Sequence, residues 1–328
     1  MARRLAPRGV SGADRAALED PLLVAKSLQA LARRRSSNLG AWRGHLQRAQ
    51  QVAHMADAQA AARVLNACSR SPLPELANQV AEAYQERARR VLGQSSARQL
   101  ATAANAMARM LIRDEDYIMR LSRELRMKFE KCNTFQASLI ANSYVRLMVV
   151  ERTLFGQLLP AYAKTHGHRF RVKDLALVLH AYAKAQLRSS AVFEALAERC
   201  REQTPHMDCQ ALSVIAAAHA KLLISDEALF QTLAWRLRSC ARTCTFQAVA
   251  NLANAYAKFG FQSPALAPQA LQSDKPWTWS PSSGAVGITD GVFDLVLEEL
   301  PRLLLDSNAH SIVLLSHAAA RAGSGQEG

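Results

Sequence analysis

The sequence Asn254-Ala-Tyr-Ala-Lys258 belongs to a block that recurs along the chain, and this recurrence decides the fold. Close copies are His180-Ala-Tyr-Ala-Lys184 and Ala217-Ala-His-Ala-Lys221. Looser copies end at five further basic residues: Arg33, Arg70, Arg109, Arg146 and Arg321. Successive basic residues are separated by 37, 39, 37, 38, 37, 37 and 63 positions. A nearly fixed period of this size predicts stacked helix pairs, because one pair alone cannot bury its apolar face.

The composition favours an all-α fold. Ala and Leu are abundant, whereas the 328 residues include only 14 Gly and 11 Pro. Ala and Leu stabilise helices, and Gly and Pro interrupt them. We therefore predict an α-solenoid of about eight helix-turn-helix repeats, each of roughly 37 residues. Such an array offers a long surface rather than a single deep pocket.

Each repeat is predicted to contain a helix A, which ends near the basic residue, and a helix B after a short turn. The turns contain capping residues, as in Ser225-Asp-Glu-Ala228, where Ser or Asp precedes acids in the first helical turn. A large apolar residue follows nine positions after the basic residue in most copies. We expect these side chains to pack in the core: Trp42, Ile118, Phe155, Phe193, Phe230 and, in the equivalent place of the last pair, Phe293.

The domain limits follow from the extent of the repeats. Residues 1–20 are a basic segment with three arginines and no acid before Asp14, a composition typical of an organellar transit peptide. Residues 21–321 are the predicted repeat domain. The long final gap places an insertion at about 263–287, rich in proline and expected to be an exposed loop. Residues 322–328 are predicted to be a flexible tail.

The charge points to a polyanionic partner. The formal net charge is +14 and the pI is about 10.0, which favours binding to nucleic acid or to an anionic membrane surface. No apolar run approaches the roughly 18–20 residues of a membrane-spanning helix, so no span is predicted.

Sequence motifs for catalysis, cofactors and metals are absent. The chain has no P-loop, no His-Glu-x-x-His and no Gly-x-Ser-x-Gly. Its six cysteines form no Cys-x-x-Cys pair, and we expect buried, reduced thiols. Cys240 and Cys244 are expected to lie four apart on one helix, without a second pair that would complete a zinc site. The prediction is therefore a protein that is not an enzyme, with no cofactor and no metal.

Positions counted back from the basic residue define the faces of helix A. Three residues before it, seven of the eight copies have Ala and one has Ser, which predicts close helix packing. Two residues before it, tyrosines and other side chains are expected to form a buried stripe. Four residues before it, seven of eight side chains are polar: Gln29, Asn66, Asn105, Asn142, His180, Asn254 and His317. These share a face with the basic residue, because four positions are about one helical turn.

Two structural explanations of these columns compete with a binding role. A cation in the last turn of a helix also favours the helix dipole and caps its carbonyl groups. An Asn in each repeat can also bridge neighbouring repeats in a buried polar ladder. A row of cations, in contrast, can follow phosphates, and a row of amides can reach the edges of bases.

The period and the block Leu252-Ala-Asn-Ala-Tyr-Ala-Lys258 resemble the heptatricopeptide-type repeats of organellar RNA-binding proteins. That group includes the FAST-kinase-like and RAP-domain proteins. The chain also resembles the helical-repeat domain in the sixth subunit of the kinetoplastid RNA-editing substrate-binding complex. Both resemblances imply an RNA-binding solenoid that acts in a mitochondrion or plastid. They imply roles in RNA processing, stability, editing support or ribosome assembly.

We therefore expect a non-catalytic protein that binds single-stranded RNA, either rRNA or mRNA, with a footprint of at most roughly eight nucleotides. Phosphate contacts are assigned to Arg33, Arg70, Arg109, Arg146, Lys184, Lys221, Lys258 and Arg321. Base contacts are assigned to the seven polar residues Gln29, Asn66, Asn105, Asn142, His180, Asn254 and His317. The alternative is a protein-interaction scaffold within a ribonucleoprotein complex. The expected location is the mitochondrial matrix, with the plastid or cytoplasm as alternatives.

Overall fold

The computed structural model describes residues 20–259, Val296, Glu299 and residues 309–324. Fourteen α-helices and no β-strand occur in this part of the chain. In chain order they are α1 Pro21–Arg33, α2 Leu39–Val52, α3 Ala58–Cys68, α4 Pro74–Val91, α5 Ala97–Met110, α6 Glu115–Lys128, α7 Thr134–Arg146, α8 Leu159–His166, α9 Val172–Ala185, α10 Ser190–Gln203, α11 Cys209–Leu222, α12 Glu227–Cys240, α13 Phe246–Phe259 and α14 Ala309–Ser324.

The helices fall into two compact units, residues Met1–Leu158 and Leu159–Gly328. In the first unit, α1, α3, α5 and α7 pack side by side as helices A, and α2, α4 and α6 pack as helices B. In the second unit, α9, α11, α13 and α14 form the row of helices A, with α8, α10 and α12 as helices B. This arrangement of sequential helix pairs confirms the predicted all-α solenoid.

Small residues allow the helices A to approach closely. Seven of the eight residues three positions before the basic residue are Ala or Ser side chains that are at most 2% exposed. They are Ala67, Ala106, Ser143, Ala181, Ala218, Ala255 and Ala318. Ala30 of α1 is the exception, since it is exposed. A larger side chain at a buried position of this column would separate neighbouring helices and lose their dispersion contacts.

The predicted buried stripe and the predicted core residues of helix B form one structure in the second unit. Tyr182, Phe193, His219, Phe230 and Tyr256 alternate between helices A and B. Their ring centroids follow one another at 6.5, 4.8, 6.1 and 5.0 Å, always edge to face. Edge-to-face contacts add a favourable quadrupole term to the burial of apolar surface. The two sequence columns therefore hold successive repeats together.

The predicted capping residues lie at the starts of helices B. The Asp114 side chain accepts a hydrogen bond from the Tyr117 amide at 3.0 Å at the start of α6. Asp226 accepts one from the Leu229 amide, also at 3.0 Å, at the start of α12. Each bond satisfies an amide that has no partner within the helix. Ser189 occupies the same place before α10 but makes no side-chain capping bond.

The prediction of six reduced cysteines is wrong for two of them. Cys209 and Cys244 form a disulfide bond, 35 residues apart, with a Cα–Cα distance of 5.3 Å. Cys240 and Cys244 also do not share a helix, because α12 ends at Cys240 and a short 3-10 turn, Ala241–Thr243, separates them. The turn redirects the chain, so Cys244 points back to the start of α11. Cys68, Cys132, Cys200 and Cys240 are buried and lie outside the disulfide, as expected.

Several predicted features lie outside the described residues. These are most of the basic segment 1–20, the insertion at about 263–287, Phe293 and the last four residues of the 322–328 tail. Helix α14 extends to Ser324, three residues into that predicted tail. Among the described helices, none combines the length and the apolar character needed to cross a bilayer.

Candidate nucleic-acid interface

The basic residues at the ends of helices A form a column of exposed charge in each unit. We call it the cation column: Arg33, Arg70, Arg109 and Arg146 in the first unit, and Lys184, Lys221 and Lys258 in the second. Arg146 is partly exposed and the other six are exposed. The side chain of Arg321, predicted to continue the column, is not among those described. None of these seven cations forms an ion pair with a described acid.

Electrostatic coupling shows that members of the column lie near one another within each unit. In the first unit, partial desolvation and the neighbouring charges of Arg70 and Arg146 lower the pKa of Arg109. In the second unit, desolvation and the charges of Lys184 and Lys221 lower the pKa of His180. Like charges held together in this way repel one another, and a polyanion would relieve that repulsion.

One member of the column also has the structural role that the sequence left open. Arg109 donates from Nε and Nη2 to the Ser69 carbonyl oxygen, both at 3.4 Å. Ser69 is the C-cap of α3, so Arg109 lies at the negative end of the neighbouring helix. The bonds are long and the side chain stays exposed, which leaves most of the guanidinium available.

The polar residues one turn before the cations form a second column, here named the amide column. Asn66, Asn105, Asn142 and Asn254 are all partly exposed. Within the described part of the chain their side chains form no hydrogen bond, so they do not build the buried polar ladder considered above. His180 and His317 are exposed, and Gln29 is partly exposed. The free amides therefore face solvent on the same side as the cations.

Acidic residues are almost absent from the helices that bear these columns. Within the eight helices A the only acid is Asp174, which is 4% exposed. Helices B, in contrast, contain most of the helical acids, among them Glu86, Asp116, Glu198 and Glu202. The residues within helices A therefore present no exposed negative charge, which favours a phosphate backbone.

Most cations of helices B are engaged in structural contacts. Arg89 pairs with Glu86 and Asp114, and Arg201 pairs with Glu198 and Asp226. A second set donates to the carbonyl group two residues before the start of a helix A. These contacts are Arg87 to Ala56 at 2.6 Å, Lys128 to Ser95 at 3.0 Å, Arg199 to Phe170 at 2.7 Å and Arg236 to Met207 at 3.0 Å. The net charge thus overstates the number of free cations.

Sequence reasoning missed two cations on the same face, two helical turns before the cation column. Lys26 and Arg63 lie seven positions before Arg33 and Arg70, and both reach solvent. Seven residues are about two helical turns, so helical periodicity alone could have identified them. They broaden the positive surface of α1 and α3.

Sequence reasoning also missed exposed apolar side chains beside the cation column. Leu111, Met148 and Leu223 lie two positions after a column cation and have positive φ angles of 55°, 60° and 56°. They are 62%, 74% and 53% exposed. The left-handed conformation ends each helix A and turns these side chains outward. Glycine usually occupies such positions, so neither the left-handed conformation nor the exposure of these Leu and Met side chains could be inferred from residue type.

The comparison with known protein families agrees with this picture. Residues 24–274, about three quarters of the chain, match the RNA-editing substrate-binding complex 6 protein family. No individual curated protein matches the chain. The match confirms the part of the resemblance that concerned the RNA-editing complex, and the heptatricopeptide resemblance stays a prediction. The chain belongs to the RNA-editing substrate-binding complex 6 protein family.

Proposed function

We propose that the chain binds single-stranded RNA along the exposed face of its helices A, without catalysing a reaction, as a subunit of an RNA-editing complex. The observation that supports this most directly is the set of seven cations with no acidic partner among the described residues. Six of them lie in helices A and Arg70 follows α3, and the only acid within those helices is buried. Unpaired cations on a solvated face cost little to present and gain affinity by releasing counterions from RNA.

The cation column and the amide column have different roles in the proposed binding. Lysine and arginine side chains contact phosphates, which fixes the register of the strand without reading its sequence. The free amides and imidazoles of the amide column can donate to and accept from the edges of unstacked bases. We assign phosphate contacts to the cation column and base contacts to Asn66, Asn105, Asn142, His180 and Asn254. Gln29, His317 and Arg321 extend these sets at the two ends.

The family name supports a role in handling the RNA substrates of editing, together with other proteins of the complex. The proposed RNA is an mRNA or rRNA, and the proposed location is the mitochondrial matrix, with a plastid or the cytoplasm as alternatives. The basic composition of residues 1–20 supports an organellar location. The proposal includes no cofactor and no catalytic residue.

The proposal is tested by reversing charge within one unit. The variant Lys184→Glu/Lys221→Glu/Lys258→Glu removes three cations from the exposed face of α9, α11 and α13. We expect RNA affinity to fall at least about 100-fold near 0.1 M salt, because three phosphate contacts are lost and replaced by repulsion. Fluorescence anisotropy with a labelled single-stranded RNA measures the change, and far-UV circular dichroism checks that the helices persist.

A matched control has the same change of charge at another surface of the same unit. Lys164, Arg169 and Arg242 are exposed and lie outside the helices A. Their replacement by Glu should change affinity only a few-fold. If both triple variants weaken binding equally, the net charge and not the cation column determines affinity. If neither does, the proposal is wrong.

The scaffold alternative is favoured by the exposed apolar residues beside the column. Leu111, Met148 and Leu223 expose large apolar side chains in a left-handed conformation that such residues rarely adopt. A protein partner would bury them. Leu111→Ser/Met148→Ser should then weaken assembly with other subunits in a pull-down while leaving RNA affinity unchanged. The opposite pattern would assign these residues to RNA binding.

A further inference from the structure

Three sulfur atoms meet in the second unit, where α11 begins and α12 ends. Besides the disulfide partners Cys209 and Cys244, the free thiol of Cys240 lies with its Sγ 3.2 Å from the Cys209 Sγ. All three sulfur atoms lie within 4.8 Å of one another, and all three residues are buried. The sequence did not reveal this cluster, because Cys209 is 31 residues from Cys240 and the fold alone brings them together.

The cluster is specific to this contact between repeats. At the equivalent contact between α5 and the segment before α7, the three positions are Ala97, Lys128 and Cys132. Between α9 and the segment before α11 they are Val172, Gln203 and Met207. Apolar, small or long side chains therefore satisfy the packing, and packing does not require three thiols in one place.

We propose that Cys209, Cys240 and Cys244 form a binding site for a thiophilic metal ion of the Zn²⁺ class, which the reduced protein holds and the disulfide excludes. A dithiol reductant would first convert the Cys209–Cys244 bond to two thiols by transferring two electrons and two protons. One Zn²⁺ would then bind three thiolates and release their three protons. The site is distinct from the cation column and does not depend on RNA binding.

The distances suit such an ion. With Zn–S bonds of about 2.3 Å and tetrahedral geometry, sulfur ligands lie about 3.8 Å apart. The Sγ atoms of Cys240 and Cys209 lie 3.2 Å apart, and all three Sγ atoms lie within 4.8 Å of one another. Rotation of the cysteine side chains after reduction can reach this spacing without movement of the helices. Thiolate ligands select soft or borderline ions such as Zn²⁺ over Mg²⁺ or Ca²⁺.

The groups beside the three cysteines include a hydroxyl that can act as a further ligand and a guanidinium that can balance negative charge. The Thr243 hydroxyl lies 3.9 Å from the Cys209 Sγ, and water or this hydroxyl can complete a fourth position. Burial raises the pKa of Cys240, while the nearby Arg236 guanidinium opposes this rise. Three thiolates and one Zn²⁺ leave a net charge of −1, which the same Arg236 can offset. Asp208 Oδ1 accepts a hydrogen bond from the Ala211 amide as the cap of α11, and the charge of Asp208 also raises the pKa of Cys240.

The test uses the full chain, reduced under nitrogen and freed of excess reductant. Cd²⁺ is titrated as a probe, because thiolate-to-cadmium charge transfer absorbs in the ultraviolet, and Zn²⁺ is then used to displace it. We expect one equivalent to bind. Cys240→Ser leaves the disulfide partners intact and should weaken binding at least tenfold. Cys132→Ser, which removes a buried thiol outside the cluster, should leave affinity unchanged.

Failure of the reduced protein to bind one equivalent would overturn the proposal, as would equal affinity of the Cys240→Ser variant. Should that variant misfold by circular dichroism, X-ray absorption of the cadmium-loaded wild-type protein counts the ligands directly. Three sulfur atoms at the metal support the site, and two or fewer refute it. Treatment with a disulfide-forming oxidant should release the metal, whereas retention would show that the disulfide does not compete.

Discussion

At the scale of single residues, His219 is the most informative departure from the repeat. It occupies the column that has Tyr144, Tyr182 and Tyr256 in other copies. Its ring is 2% exposed and lies edge to face between Phe193 and Phe230. The Nδ1–H group donates to the Ile224 carbonyl at 3.1 Å, which fixes the tautomer. Burial lowers the pKa of His219 and outweighs the opposing effects of the Ile224 carbonyl and of Asp226, which favours the neutral ring.

The first prediction concerns pH. Because the folded pKa of His219 lies below its ordinary 6.5, the unfolded chain binds more protons in acid. The stability due to the neutral ring is therefore complete above pH 6.5 and falls as the pH drops below it. His219→Tyr should flatten the dependence of the free energy of unfolding on pH between about 5 and 7. Urea titrations at several pH values measure this.

His180→Asn is the control for that prediction. The pKa of His180 is also lowered, but its ring is exposed, so it should contribute less to the slope. If the slope persists in His219→Tyr and vanishes in His180→Asn, the assignment to the buried ring is wrong.

The second prediction concerns a buried hydroxyl. The Ser138 side chain is fully buried in α7 and its oxygen has no hydrogen-bond partner. Ser138→Ala removes this unsatisfied group, so thermal or urea unfolding should show a gain of up to about 1 kcal/mol. Ser213, at the same place in α11, donates to the Gln210 carbonyl at 2.9 Å. Ser213→Ala should give no such gain, and a gain of equal size there would remove the explanation.

Residue roles were predictable where a side chain type recurs with the period. The small column, the buried aromatic stripe and the capping aspartates all follow from columns of like residues. The Cys209–Cys244 bond was not predictable from the columns. Cys209 has no cysteine at the equivalent place of the other repeats, and Cys132, which is equivalent to Cys244, is not in a disulfide. Only the packing of α11 against α13 brings Cys209 and Cys244 together. The place of His219 in its column was visible in the sequence, but its burial and its hydrogen bond to the Ile224 carbonyl were not.

At the scale of helices, an ion pair, here called the clamp, recurs between an arginine of one helix B and an acid at the start of the next. Arg89 pairs with Asp114, Arg126 with Glu151, and Arg201 with Asp226, always 25 residues apart. In two of the three copies the acid is also the N-cap of the next helix B. Desolvation alone would raise the pKa of Asp114, but bonds from Arg89 and the Tyr117 amide outweigh it and lower that pKa.

The third prediction measures this clamp. Asp226→Ala removes both the cap and the partner of Arg201, whereas Asp208→Ala removes a cap that has no such ion pair. Loss of a cap costs about 1 kcal/mol. Asp226→Ala should therefore destabilise the protein by more than Asp208→Ala, by up to about 1 kcal/mol for a partly exposed pair. Equal losses in chemical denaturation would show that the ion pair contributes nothing.

The elements themselves were largely predictable, because the apolar period and the capping residues agree on each boundary. The fourth helix B is the exception. A π-helical stretch, Leu154–Leu158, precedes α8, and the two compact units meet in the sequence at this point. Gly156 lies inside this stretch and Pro160 is the second residue of α8. Proline has no amide hydrogen and its ring clashes with the carbonyl group one turn earlier, so the sequence does contain a signal for a distortion here. The 25-residue spacing of the clamp was visible in principle, since it repeats with the helices.

At the scale of the whole molecule, charge is sorted between the two kinds of helix. Helices B hold most of the helical acids and pair their arginines internally, whereas helices A keep exposed cations and free amides. Sequence composition gave only the net value of +14. Which cations are free could not be predicted, because that depends on contacts such as Arg236 with the Met207 carbonyl.

The fourth prediction separates the two columns. Asn66→Ala/Asn105→Ala/Asn142→Ala removes amides of the first unit without changing its charge. We expect little change in affinity for a uniform polynucleotide, but a loss of preference among RNAs of different sequence, because base contacts specify and phosphate contacts position. Competition binding with a random RNA pool, sequenced after selection, measures this. An unchanged preference would assign the amides no role in reading bases.

The central claim, that the cation column contacts phosphates, is tested most directly by the salt dependence of RNA affinity. For a single strand, each phosphate contact contributes about 0.7 to the slope of log affinity against log salt. The account predicts that Lys184→Glu/Lys221→Glu/Lys258→Glu reduces the slope by about 2, because three contacts are lost, while Lys164→Glu/Arg169→Glu/Arg242→Glu leaves it unchanged. An identical slope for the wild-type protein and the column variant would contradict the account.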